Sequence, residues 1–205
     1  GHNGAGKSTM MKIILGLIPA TSGEVTVCGA APGSSAARAA VAYLPENVAF
    51  HPALTGLEQL RQYLRLRGED AGNAMNLLDR VGLGHAAKRR IGTYSKGMRQ
   101  RVGIARILTL GSRVLLMDEP FAALDDLSRY RLNDDLLRWQ QDTSISTLFV
   151  THNIGVVAYL ADKVAVMHAG QVVEMGETSQ ILNNPQEIYT KELLSSVPKL
   201  NQALA

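Results

Sequence analysis

The sequence predicts an α/β fold, a mainly parallel sheet with flanking helices and a helical subdomain. Three observations predict it. Short apolar runs of strand length alternate with stretches of helical periodicity along most of the chain. One run, Val114-Leu115-Leu116-Met117, is apolar at every position, the mark of a strand buried on both faces. From about Phe50 to Arg90 no strand-like run occurs and leucines fall at helical spacing, so a helical insert interrupts the alternation.

The elements follow in order. A glycine-rich loop, Gly1 to Thr9, leads into a helix carried by Met10, Met11, Ile13, Ile14 and Leu17. Glu24 to Gly29 alternates as a short strand ending in a turn. Alanine-rich sequence from Ala30 to Ala40 precedes a second strand, Val41-Ala42-Tyr43-Leu44. In the insert, Leu57, Leu60 and Leu64, then Ala74, Leu77, Leu78 and Val81, mark two amphipathic helices, and Gly82 is placed to end the second. Ser95 sits where an N-cap belongs, before a helix bearing Met98, Val102, Ala105 and Leu108. After the strand ending at Asp118-Glu119-Pro120, a helix is expected over about Ser128 to Gln140, then a buried strand, Thr147-Leu148-Phe149-Val150, ending at Thr151-His152. Val164 to Met167 and Val172 to Glu174 read as a hairpin turning at Ala169-Gly170. Asn184 as N-cap and Pro185 as first helical residue open a last helix to about Ser196.

With 205 residues, 46% of them hydrophobic, the chain is large enough for one domain with a subdomain. Aromatic residues are only 5%, so the core relies on Leu, Ile, Val, Met and Ala. A formal charge of +3 is too weak to argue for a nucleic-acid partner. One cysteine, Cys28, supports neither an internal disulfide framework nor a thiolate zinc cluster, and points to a reducing compartment. No apolar run approaches the ~18 residues of a membrane span; Met10 to Pro19 is short and holds Lys12. No signal-peptide pattern is visible.

The opening residues carry the first chemistry. Gly1-His2-Asn3-Gly4-Ala5-Gly6-Lys7-Ser8 fits G-x-x-x-x-G-K-[ST] at every fixed position. Glycines let backbone N–H groups wrap phosphates, and the following helix aims its positive end at the same place. Lys7 neutralises β- and γ-phosphate charge, Ser8 offers a hydroxyl to Mg²⁺, and Thr9 adds a phosphate contact. The ligand expected is a nucleoside triphosphate, with Mg²⁺ as cofactor. Such a loop normally follows a buried strand, so the expectation is of a fragment lacking its natural N-terminus. Asp118 and Glu119 close the most apolar strand, where ligands of open α/β sheets gather. Asp118 is placed to hold Mg²⁺, and Glu119 to polarise an attacking water.

The order of phosphate loop, helical insert, Ser-x-Gly before a helix, acid strand and strand-end histidine resembles the ABC transporter ATPases over almost the whole chain. Tyr94-Ser95-Lys96-Gly97-Met98 stands where that family carries L-S-G-G-Q; Ser95 and Gly97 agree, whereas Tyr94, Lys96 and Met98 depart. The resemblance implies that this signature covers ATP held by a second subunit, through the Ser95 hydroxyl and Gly97 N–H at a helix N-terminus. Lys96, replacing a glycine, either turns aside or adds charge toward the phosphate. Glu46, in Leu44-Pro45-Glu46-Asn47, occupies the Q-loop position, where glutamine is usual. As a further metal-side oxygen it either tightens Mg²⁺ or slows hydrolysis. Leu124-Asp125 corresponds to the D-loop at the dimer seam, and His152 to the switch histidine that contacts the γ-phosphate. The catalytic set expected is therefore Glu119, His152 and Lys7.

Four regions are expected: 1–49, the first part of a RecA-like core; 50–94, the helical subdomain; 95–168, the signature helix and the rest of the core; 169–205, a C-terminal hairpin and helix. The implied function is an ATP-hydrolysing subunit working as a head-to-tail pair on integral membrane subunits, peripheral at the cytoplasmic face of the inner membrane. DNA-repair relatives would show a long coiled coil or zinc cysteines here, and translation-type relatives a second such domain; a nonhydrolytic interaction module is the remaining alternative. For cargo the resemblances are mosaic. The segments from Tyr43 to Pro52 and Thr93 to Arg101 resemble the ATPase for copper-site maturation of nitrous-oxide reductase. Asp118 to Asp125 is similar to nitrate or sulfonate importers, and Gly170 to Glu174 with Asn184 to Pro198 resembles oligopeptide importers. Its unusual Glu46 and Lys96 incline the reading to the copper-maturation type.

Overall fold

The apolar runs form strands. In this computed structural model, which describes residues 5–109, 111–120, 126–142 and 145–196, β1 (Val41–Leu44) pairs in parallel with β2 (Val114–Asp118), and β2 with β3 (Ser146–Val150). The expected positions Gly1, His2, Asn3, Gly4, Leu124 and Asp125 lie outside the described residues. Register sets Leu44 beside Met117 and Asp118 beside Val150, so the three strands finish along one edge. Parallel strands need crossovers, and helices supply them.

Strand periodicity explains how β2 builds two cores. Leu115 and Met117 join a large cluster with Leu44, Leu60, Val102 and Leu136, while Leu116 joins Met11 and Val150 on the other face. Helix α1 (Lys7–Ile14) covers that second face through Met11, which is fully buried. Burying one such side chain stabilises by ~1.5–3 kcal/mol. β3 departs from expectation: its burial alternates and Leu148 is 38% exposed, so it is half-buried where a two-sided buried strand was expected. Among the described strands it pairs with β2 alone.

Helix α2 (Ser35–Ala40), capped by the Ser34 hydroxyl accepting from the Ala37 N–H at 3.2 Å, runs straight into β1. The strand expected over Glu24 to Gly29 shrinks to one bridge, Val27 to Ala30. Cys28 and Gly29 between them both have positive φ (52° and 83°), so the two-residue turn is present but the ladder stops there.

The insert is helical as expected. Helix α3 (Gly56–Leu66) starts with a capping box in which Thr55 and Glu58 satisfy each other's amides. Helix α4 (Ala74–Arg80) ends where Gly82 turns left-handed at φ 70° and the Leu83 N–H reaches back to the Leu78 carbonyl at 2.8 Å. Leu60, Leu64, Leu77 and Leu78 belong to the same apolar cluster as Leu44 and Met117. The insert is therefore fused to the sheet by a continuous core. Helix α5 (Lys96–Leu108) joins the two.

Helix α6 (Asp126–Asp142) follows β2 and packs through Leu132 and Leu136. Helix α7 (Ile154–Leu160), for which no expectation was formed, packs Val156 and Leu160 into the same cluster. Strands β4 (Lys163–His168) and β5 (Gln171–Glu177) make the expected hairpin, turning at Ala169 and Gly170, both with positive φ. Helix α8 (Thr178–Asn183) and helix α9 (Ile188–Ser195) complete the described chain. Asn184 and Pro185 do not open α9; its N-cap is Glu187. The reason is tertiary: the Glu174 carboxylate of β5 accepts from the Gln186 N–H (2.7 Å) and the Glu187 N–H (3.4 Å), holding those residues in a turn.

Candidate functional site

Because β1, β2 and β3 end along one edge, the residues that follow them are neighbours. Glu46 follows β1, Asp118 closes β2, Glu119 comes next, and His152 follows β3. Carboxyl ends of parallel strands are where such sheets bind ligands.

Asp118 reports the company it keeps. Its carboxyl is pushed above the ordinary carboxylate range, first by burial and then by the charges of Glu119 and Glu46, while Lys7 pulls it back. Lys7, Glu46, Asp118 and Glu119 thus share one electrostatic neighbourhood. Tyr43 is raised as well, by burial and then by Asp118.

Glu119 has a strained backbone, with φ 44° in a non-glycine residue, and its N–H donates to the Val150 carbonyl at 2.8 Å. That link ties the turn after β2 to the end of β3. The carboxylate is engaged at both oxygens: His152 Nδ1 lies 3.0 Å from Oε1, and the His152 backbone N–H donates to Oε2 at 3.4 Å. Two of the three expected catalytic side chains are therefore in contact. The histidine ring is 67% exposed and the carboxylate 16%, so the ring is the partner facing solvent.

On the opposite side, Gly6 caps α1 at φ 87°. A side chain there would meet the Gly170 Cα at 3.3 Å, so glycine suits the position sterically as well as conformationally. Ala5 is buried, while Ser8 and Thr9 stand exposed on the first turn of α1. Glycine at the cap lends no side-chain cap to α1, and a helix start of this kind suits an anion. Ser8 and Asp118 are hard oxygen donors of the kind Mg²⁺ takes together with phosphate oxygens. The negative charge that Glu119 and Glu46 place around Asp118 is also an arrangement that an added cation relieves. The residues present fit a magnesium–nucleotide.

The signature segment is placed as expected in part. Ser95 caps α5, its hydroxyl accepting from the Met98 N–H at 3.2 Å, and it is exposed. A hydroxyl used this way keeps its own proton to donate. Gly97 and Met98 are half-buried. Tyr94 is explained by packing: it is buried and its hydroxyl donates to the Ala86 carbonyl at 2.6 Å, anchoring α5 to the insert.

Three contacts were not foreseen from sequence. Lys96 Nζ lies 3.6 Å from Glu46 Oε1, Gln100 Nε2 donates to the Pro45 carbonyl at 3.5 Å, and Arg106 donates to the Tyr43 carbonyl at 3.5 Å. At Gly103, a side chain would run into Leu44 and Val48. Lys96, Gln100 and Gly103 recur at i, i+4 and i+7, one face of a helix. That face of α5 lies along the chain from Tyr43 to Val48, and the spacing was the readable signal.

A sheet-edge acid pair facing a Gly-Lys helix start defines a nucleotide-phosphate-binding α/β protein. A family model described as ABC transporter matches residues 1–122, and one described as oligopeptide/dipeptide transporter, C-terminal region, matches residues 173–205. The chain belongs to the ABC transporter ATP-binding family, whose members hydrolyse ATP to power transport. It is 37% identical over 216 residues to the oligopeptide transport ATP-binding protein OppD of Mycobacterium tuberculosis, covering 99% of this chain and 35% of that protein. It is 33% identical to the oligopeptide transport ATP-binding protein OppF of Lactococcus lactis, covering 98% of this chain and 67% of that one. The chain thus spans about a third of the mycobacterial relative's length. The structure of cbiO1 from Clostridium perfringens, part of the ABC transporter complex cbiONQ, superposes with a TM-score of 0.79 at 24% identity, over 88% of this chain and 76% of that chain, which shows the fold.

Proposed function

We propose that the chain is the ATP-hydrolysing part of a peptide importer. The observation that carries the activity is the convergence of Lys7, Asp118, Glu119 and Glu46 at one sheet edge, with His152 on Glu119. In this reading Gly1 to Thr9 hold the phosphates, and Lys7 neutralises their charge. Ser8, Asp118 and Glu46 would hold Mg²⁺, which supplies charge neutralisation between phosphate oxygens. Glu119 orients the attacking water and His152 meets the γ-phosphate. Phosphoryl transfer depends mainly on positioning and charge stabilisation, and these residues provide both.

Ser95, Lys96, Gly97 and Met98 cover the nucleotide held by a second subunit, with Leu124 and Asp125 at the seam. The exposed Ser95 helix end supports this, since a second chain has access to it. Regions 50–94 and the Glu46 loop pass the motion to integral membrane subunits. Among the described residues no helix is long and apolar enough to cross a membrane. By analogy with its family, the chain would work peripherally, at the cytoplasmic face.

The match over 173–205 and the two oligopeptide relatives favour peptides as cargo over copper-site maturation. The inclination to the copper-maturation type, among resemblances carried by Tyr43 to Pro52 and Thr93 to Arg101, came from Glu46 and Lys96, whose mutual contact gives those residues a structural reason of their own. The full-length protein is expected to release phosphate from ATP only with Mg²⁺. Lys7→Ala should abolish ATP binding and release together. Once assembled with its membrane subunits, turnover should rise on adding peptides. Magnesium-independent release, or full activity in Lys7→Ala, contradicts the site; indifference to peptides contradicts the cargo.

A further inference from the structure

The two departures from the family pattern touch each other. Lys96 Nζ and Glu46 Oε1 are 3.6 Å apart, with side chains 34% and 46% exposed. The pair closes the solvent end of the seam in which Gln100 meets Pro45 and Gly103 admits Leu44 and Val48. Glutamine and glycine, usual at these two positions in the family, carry no charge, so such a pair has no counterpart there.

Its placement gives Lys96 two anionic partners that compete. Lys96 is the first residue of α5, beside exposed Ser95 at the helix's positive end. A half-exposed ion pair is weakly held and readily exchanged. A terminal phosphate concentrates more negative charge than a carboxylate, and a lysine ammonium on a flexible stem follows it. Glu46, once left by Lys96, keeps its charge near Asp118 without that cation.

We propose that Glu46 and Lys96 are an exchangeable pair that sets the ATP threshold for pairing of two chains: Lys96 leaves Glu46 of its own chain for the phosphate of the nucleotide held by the second copy. The inference rests on the head-to-tail ATP reading above. Holding Lys96 on Glu46 opposes premature pairing, and the lysine's transfer contributes to closure only when nucleotide is present.

The test is a double-mutant cycle on the full-length protein, read by sedimentation as the concentration of a non-hydrolysable ATP analogue at half-maximal dimerisation. Nucleotide binding and melting temperature are followed in parallel. Glu46→Gln lowers that midpoint, and Lys96→Gln raises it. Glu46→Gln has an effect about two- to fivefold larger with Lys96 present than in the Lys96→Gln background, the size expected of an exposed pair. The difference shrinks at high salt. Equal effects of Glu46→Gln in both backgrounds, or a midpoint lowered by Lys96→Gln, overturn the exchange. A parent protein that binds no nucleotide, or binds it and never dimerises, overturns the underlying ATP reading instead.

Discussion

Single residues carry both strain and order in this chain. Glu119 holds a left-handed backbone that costs on the order of 1–3 kcal/mol for a non-glycine residue. The cost is offset by the bond to Val150 and the two contacts with His152, which hold the carboxylate toward the strand ends. Glu174 does the comparable work at the C-terminal end. The Gln186 N–H, as the largest cause, holds its carboxyl below the ordinary range. A folded pKa lower than the unfolded one contributes stability above the unfolded pKa, and that contribution is lost as pH falls through the folded pKa. Glu174→Gln should therefore melt below the parent at neutral pH, and the gap should close once the pH lies below the folded carboxyl's own range. Thermal melts across that interval measure it.

At the scale of elements, α5 is the organiser. One face runs along Tyr43 to Val48, and its start is pinned to the insert by the Tyr94 hydroxyl on the Ala86 carbonyl. Tyr94→Phe removes one of two hydrogen bonds to the Ala86 carbonyl, which keeps the Arg89 N–H at 2.9 Å, and should cost ~0.5–1.5 kcal/mol. Urea unfolding should show a lower midpoint with an unchanged slope. The elements most legible in the sequence were those fixed by local pattern. The all-apolar run Val114 to Met117, the Leu-rich insert, the Ser95 cap and the Ala169-Gly170 turn each state their structure within a few residues. What stayed hidden depends on distant partners. Pro185 reads as a helix start until Glu174 captures the next two amides. Thr147 to Val150 reads as buried on both sides, yet β3 alternates, because the cover on each face of a strand comes from elements distant in sequence. The phosphate loop, acid pair and strand-end histidine were legible as motifs. The Lys96–Glu46 contact was not, because its partners lie in separate elements and each reads alone as a departure.

At the scale of the whole molecule, the parallel sheet divides the labour. One face, through Leu116 and Met11, fixes α1 and with it Lys7; the other, through Met117, fixes α5 and the insert. The Lys7–Asp118 neighbourhood and the exposed Ser95 end are thereby built on one core. In the proposed function the Lys7–Asp118–Glu119 edge binds a nucleotide that a second copy then closes. The most direct measurement of this is the sedimentation of full-length Glu119→Gln with ATP and Mg²⁺. The variant should bind ATP, release phosphate ~10²–10⁴-fold more slowly than the parent, and accumulate as a stable dimer that Ser95→Arg disperses. ATP binding with unchanged turnover, or a nucleotide-bound monomer at every protein concentration, would contradict it.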